Sequence, residues 1–183
     1  SNWFGMQATD CAGIVVCDSD VNDNVQDGLL IGACIGLDIV NASIRKHDQR
    51  WGLDIRGSEG RVHDSFFKFN LYDMNLRRSR LRIDNNTLDS SYNAALLIHE
   101  SRMILVEDND ISGQWDGIVA EYTGGHVLRD NNISSVNRDI CLNDCGEMVL
   151  RDNVMNGPGL YLSWYASARP SEPDVDTSNT VQG

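Results

Sequence analysis

Arg56, Arg77, His99 and Glu121 follow one another at intervals of 21, 22 and 22 residues. These side chains form a usable chemical set. A guanidinium neutralises a substrate carboxylate, an imidazole takes a proton, and a carboxyl group protonates a leaving group. On a uronic acid, Arg56 and Arg77 would hold the carboxylate while His99 or Tyr92 removes the C5 proton, which is lyase chemistry. Hydrolysis needs two carboxyl groups about 5–10 Å apart across the scissile bond, and Glu121 with Asp116 is the nearest pair. Trp51, Tyr92, Trp115 and Tyr161 add aromatic faces suited to the apolar C–H surface of sugar rings. The opposing reading is structural: charges stacked along a sheet form ion-pair ladders without any substrate. A second series, His63, Asp84, Glu107, Arg129 and Arg151 beside Arg61 and Arg82, has that character.

A stacked repeat of about 22 residues would bring such equally spaced residues into one column. "VLRDNNIS" at 127–134 returns as "VLRDNVMN" at 149–156, and the echo runs through the chain. Equivalent apolar positions are Val21, Ile44, Phe67, Leu88, Ile111, Ile133 and Met155, with steps of 23, 23, 21, 23, 22 and 22. Three residues before each stands Asp18, Asn41, Asp64, Asn85, Asp108, Asp130 or Asp152, always Asp or Asn. A period of this length held over most of a chain signals stacked repeats. Inside each unit, apolar residues alternate with period two, as in Leu81 and Ile83 or in "GLDI" and "GIVA", which reads as strands. No window supports a helix of useful length. One unit cannot bury its own apolar face, but stacked neighbours share a continuous core. At about 4.8 Å per rung, Arg56, Arg77, His99 and Glu121 become neighbours in one column.

The pattern "apolar-x-apolar-x-Asp-Asn-x-Ile…Gly-Ile-x-Leu" resembles the repeats of the pectate-lyase-like superfamily of right-handed parallel β-helix proteins. That superfamily includes polysaccharide lyases, polygalacturonase-type hydrolases, alginate epimerases, phage tailspikes and NosD-like surface or periplasmic proteins. The last group is the most similar, and the terminal "DVDTSNTVQG" is similar to segments of its archaeal surface members. The resemblance implies an all-β fold, a single-stranded right-handed parallel β-helix of about seven rungs of 21–23 residues. The helix is expected over 11–165, after a lead-in or partial cap at 1–10 and before a Pro- and Asp-rich strap or linker at 166–183. It further implies that a substrate lies along an outer face across several rungs. The polygalacturonase motifs and the epimerase "YG-DPH" signature are absent, and no loop exceeds about ten residues, so no deep cleft is expected.

A net charge of −12 and a pI near 4.5 argue against nucleic acid and anionic membranes as partners. No run is long enough to insert in a membrane. Two Lys stand against 13 Arg, and 21 Asp against 6 Glu, a balance that stays solvated at high salt and suggests a halophilic source. Cys11 and Cys34 fall at the same place in adjacent units, so a disulfide there competes with two free thiols. Asp18, Asp20 and Asn22 begin like a calcium loop. Asp23 stands where that loop needs Gly, and Leu29 where it needs Glu, which leaves only a weak Ca2+ site. No cofactor is required. Asn41, Asn85 and Asn132 open glycosylation triplets, as suits an extracellular or cell-surface protein. Asn86, Asn109, Asn131 and Asn153 stack as a hydrogen-bonding ladder, or simply favour the turn geometry.

Three functions follow. The first is an extracellular or surface β-helix module, non-catalytic or glycan-recognising, cut from a longer protein whose flanking domains or copies cover the first rung. The second is a polysaccharide lyase or glycoside hydrolase acting on acidic glycans along the Arg56, Arg77, His99 and Glu121 face. The third is a structural subunit of a stacked or trimeric assembly.

Overall fold

A computed structural model describes residues 2–47, 49–164 and 172–182. The described chain is an all-β parallel solenoid of three sheets with eight strands each. The first sheet runs through Met6–Thr9, Leu29–Gly32, Trp51–Arg56, Tyr72–Arg77, Ala94–His99, Asp116–Glu121, Arg138–Asn143 and Leu160–Ser163. The second includes Val15–Cys17, Ile35–Val40, Glu59–His63, Arg80–Asp84, Leu105–Glu107, Val127–Arg129 and Val149–Arg151, and the third includes Ser43–Arg45, Phe66–Lys68 and Asp110–Ser112. The coil has about eight turns where the repeat count suggested about seven. Met6–Thr9, in the expected lead-in, pairs with Leu29–Gly32. Asp174–Val175 and Thr180–Val181, in the expected strap, pair with the second and third sheets.

The repeat residues explain the coil. Ile44, Phe67, Leu88, Ile111 and Ile133 are the inward side chains of the third sheet and are at most 1% exposed. They meet Leu53, Met74, Leu96 and Ile118 from the first sheet and Val62, Ile83, Val106 and Leu128 from the second in one core. The corner between second and third sheets is set by Asp18, Asn41, Asp64, Asn85, Asp108, Asp130 and Asp152, all with φ between 47° and 55°. Asp and Asn tolerate this left-handed conformation better than other side chains. The next residue turns inward. Asn86 Nδ2 donates to Asn109 Oδ1 at 3.1 Å, Asn109 to Asn131 at 3.0 Å, and Asn131 to Asn153 at 2.9 Å. Asn153 continues the series to Asn179 at 2.8 Å.

The corner between first and second sheets has its own ladder of Cys11, Cys34, Ser58, Ser79, Ser101, Thr123 and Cys145. Cys34 N donates to Ser58 Oγ at 3.0 Å, and Ser58 N to Ser79 Oγ at 3.2 Å. The bridge considered between Cys11 and Cys34 is not formed; both thiols are free. Each instead behaves as the serines do. Cys11 Sγ donates to the Thr9 carbonyl at 3.0 Å and Cys34 Sγ to the Gly32 carbonyl at 3.2 Å, just as Ser58 Oγ donates to Arg56 O at 3.0 Å.

Candidate functional site on the outer face of the first sheet

Register pairs Arg56 with Arg77, Arg77 with His99, His99 with Glu121, and Glu121 with Asn143. The four residues therefore form one outward column on consecutive rungs. Their surroundings differ. Arg56 is tied to the buried Asp54, whose other oxygen accepts from Asn75 Nδ2 at 2.8 Å. Arg77 is less well compensated. Among the described residues its carboxylate neighbour is Glu100, whose Oε2 is 3.6 Å away and makes its closer contact, 2.7 Å, with Arg78. Those two guanidiniums hold the Glu100 carboxyl below its usual range. His99 meets the Tyr122 ring edge-on at 5.8 Å. Glu121 accepts from Asn143 Nδ2 at 3.2 Å.

Asp116 and Glu121 are brought into one strand but not into one site. Five residues of extended chain separate them by about 16 Å, beyond the reach of a hydrolytic pair. Asp116 is moreover buried and accepts from Arg138 Nε at 2.9 Å, Arg138 Nη2 at 2.6 Å and Asn137 Nδ2 at 2.9 Å. It is a structural anion.

The aromatic residues divide. Trp51 and Tyr72 stack with centroids 4.2 Å apart at the start of the face. Tyr161 lies under Arg138 at 5.4 Å, and Trp115 precedes Asp116 with more than half its surface exposed. Tyr92 belongs elsewhere, to a cleft beside Phe69. The middle of the face is apolar, with Val119 and Cys141 buried with Ala94 against Tyr72 and Leu97. Tyr122, at φ 52° and well exposed, was missed by the period-two pattern. It sits at a corner, where that pattern carries no information.

The charged series on the second sheet is a true ladder. Asp84 binds Arg61 and Arg82, Glu107 binds Arg82 and Arg129, and His63 bridges Asp38 and Asp64. Arg151 continues it to Asp174 and Asp176. Asn41, Asn85 and Asn132 are exposed, and each donates across one rung to Asp18, Asp64 or Asp110.

Residues 5–163 match the family described as "Periplasmic copper-binding protein (NosD)". The chain belongs to the NosD family. It is a periplasmic family, in line with the expected location outside the cytoplasm. Among solved structures the chain is similar to the periplasmic alginate epimerase AlgG, with TM-score 0.80 and 16% identity over 98% of this chain and 48% of that one. It is also similar to a tailspike protein of E. coli bacteriophage HK620 in complex with pentasaccharide, with TM-score 0.60 and 12% identity over 98% and 43%. The chain thus spans about half the length of these structures. No curated protein sequence matches it.

Among the described residues this chain offers copper no gathered donor set. Copper favours imidazole and thiolate ligands, but its four histidines are scattered. His47 Nε2 lies 3.2 Å from Val21 O, His63 sits between two aspartates, His99 faces Tyr122, and His126 is interior. Among the described residues, no three His, Cys, Asp or Glu side chains gather as a metal site. Of the residues read as a weak Ca2+ site, Asp18 occupies a corner, whereas Asp20 and Asn22 lie on a strand with Asp20 paired to Arg45 at 2.8 Å.

Proposed function

We propose that this NosD-family chain is a glycan-recognising β-helix module that binds acidic polysaccharide along the outer face of its first sheet, without cleaving it. The observation carrying this reading is the Arg56–Arg77–His99 run on three consecutive rungs. In a chain of net charge −12, the like pairs of the second sheet, Arg61 on Arg82 and Arg129 on Arg151, are closed by Asp84, Glu107, Asp174 and Asp176, whereas Arg77 has only the more distant Glu100 among the described residues. Arg77, sharing one carboxylate with Arg78, is the cation with attraction to spare for a ligand carboxylate. Trp115 and Tyr161 provide exposed rings on the same face. On this face Asp116 and Glu121 stand about 16 Å apart, too far to act together on one glycosidic bond, which supports recognition. The similar structures include a protein named for alginate and one complexed with a pentasaccharide, which supports a sugar ligand.

A glycan array at low and molar salt, with Arg77→Ala and Trp115→Ala alongside, tests this. Uronide binding lost in both variants is the expected result. No retention of uronides at either salt rejects the reading. The adjacency of Arg77 and His99 favours one second reading, a lyase or epimerase with His99 as base. Turnover of uronides that disappears in His99→Ala would establish it.

A further inference from the structure

The corner that closes the third sheet carries Asp23, Lys46, Phe69, Ser90 and Gly113 at φ 56°, 63°, 57°, 58° and 78°. Asp, Ser and Gly suit that left-handed position, but a bulky ring there is a backbone outlier that persists only where something compensates it. Phe69 gains no full burial in return; it is 41% exposed. Tyr92, 61% exposed, stands beside it. With Asp23, Asn24, Lys46 and Gln49 the two rings line an open cleft of about 640 Å3. Both lysines of the chain are found here. Lys46 lines the cleft with Nζ 3.7 Å from Asp23 Oδ2, and Lys68 Nζ lies 4.8 Å from the Phe69 ring centre while bound to Asp89 at 2.5 Å.

We infer that this cleft is a second carbohydrate site, one that takes the pyranose ring of a neutral glycan. The rings of Phe69 and Tyr92 present exposed apolar walls to the C–H face of a sugar. Asn24, Gln49, Lys46 and Asp23 supply donors and acceptors for its hydroxyl groups. Lys46, the lysine lining the cleft, is already opposed by Asp23, so the described lining residues offer no unpaired cation to select a uronate. In this it differs from the first-sheet face, whose residues it does not share, and it stands whether or not that face binds acidic glycans. Met103 and Tyr122 are also exposed at positive φ on other corners; the feature that points to a sugar at Phe69 is the second exposed ring, Tyr92, with Asn24, Gln49, Lys46 and Asp23 around the same cleft.

The test uses saturation-transfer NMR and titration calorimetry with neutral gluco-, galacto- and manno-oligosaccharides and with uronides as comparison. The variants are Tyr92→Ala and Phe69→Asn, the second because Asn tolerates the left-handed corner without a ring. Wild type should bind a neutral oligosaccharide, and each variant should weaken that binding about tenfold or more. Phe69→Asn should melt at the same or a higher temperature than wild type and leave any uronide binding unchanged. Failure to bind any neutral saccharide overturns the proposal, and so does binding that survives both substitutions. A lower melting temperature in Phe69→Asn with unaltered binding would assign the ring to packing and also overturn it.

Discussion

Thr123 Oγ1 lies 2.6 Å from His126 Nε2, and the same hydroxyl donates to the Ser101 carbonyl at 2.5 Å. Its proton is therefore engaged, and Nε2 must carry the hydrogen shared with Thr123. Nδ1 in turn accepts from the Ile104 N–H at 3.0 Å. Both contacts require a neutral imidazole, and burial pushes its pKa down to about 4.

A pH dependence follows. In the unfolded chain this histidine titrates near 6.5. Between that value and about 4 the unfolded state binds more protons than the folded one, so stability is whole above the window and falls as pH drops through it. The full loss is about 3 kcal/mol. His47, also lowered by burial, acts in the same direction. Urea unfolding across this range should show the decline in wild type and a shallower one in His126→Gln. Parallel curves for the two proteins would contradict the assignment.

Asn109 is the middle of the buried amide ladder. Its Oδ1 accepts from both the backbone N–H and Nδ2 of Asn86, and its Nδ2 donates to Asn131 Oδ1 and to the carbonyls of Ile83 and Glu107. Asn109→Ala leaves several of these groups buried without partners. A destabilisation of about 2–4 kcal/mol is expected, read as a lower urea midpoint at unchanged slope. A change below about 0.5 kcal/mol would show that water replaces the amide.

These ladders show which parts of the fold could be read from the residues. Asp and Asn at the second corner announce a left-handed turn in every repeat, and alternation fixes which side chains point inward, so the column Arg56, Arg77, His99 and Glu121 was legible. What each column member touches was not. Residue types alone do not tell that Glu100 is drawn to Arg78 more closely than to Arg77, or that Asp116 is consumed by Arg138. The first corner was opaque as well, because Ala33, Arg78, Glu100 and Tyr122 adopt positive φ there without the residue types that favour it. The terminal strands were hidden for another reason. Asp174–Val175 and Thr180–Val181 are two residues long, too short for a period to register.

Asp73 stands inside the coil where the neighbouring rungs have Gly52 and Ala95. One carboxyl oxygen accepts from Asn70 Nδ2 at 2.9 Å, and the other, with the Gln114 side chain nearby, makes no well-formed hydrogen bond among the described residues. Burial raises its pKa well above the usual carboxylate value, with Asp89 adding to the effect. Its contribution is therefore complete below the unfolded value of 3.8 and is lost as pH rises toward the folded one, opposite in sign to that of His126. Asp73→Asn should be more stable than wild type at neutral pH by on the order of 1 kcal/mol, with the gap narrowing in acid. Equal stability at neutral pH would show that the second oxygen is solvated.

Glu107 is 1% exposed, with Arg82 at 2.6 Å from one oxygen and Arg129 Nε at 2.6 Å from the other. Glu107→Ala leaves two guanidiniums facing each other. Both are about half exposed, so the expected loss is about 1–2 kcal/mol rather than the full value for a buried pair. Asp20→Ala removes an ion pair that is half exposed on both sides and should change stability by less than about 0.5 kcal/mol. Wild type itself should gain stability toward molar salt as its net charge is screened, while the Glu107→Ala deficit persists because the carboxylate is sheltered. A deficit that vanishes in salt would place this interaction at the surface.

Gly60 answers an irregularity one rung away. The second sheet pairs Ile35 with Glu59 but Leu37 with Gly60, so Gly36, at φ 69°, is an extra residue bulging from its strand. The bulge brings the Leu37 backbone toward Gly60, where an added Cβ would stand 2.1 Å from the Leu37 carbonyl oxygen and 2.6 Å from its Cβ. Neither atom can yield without moving the strand. The following rung has Leu81 at this place, so the demand for glycine comes from the bulge and not from the repeat. Gly60→Ala should therefore cost about 2 kcal/mol or more, measured by thermal or urea unfolding. Deleting Gly36 in the same chain should restore part of that loss by removing the extra residue; if it does not, the close approach has a source other than the bulge.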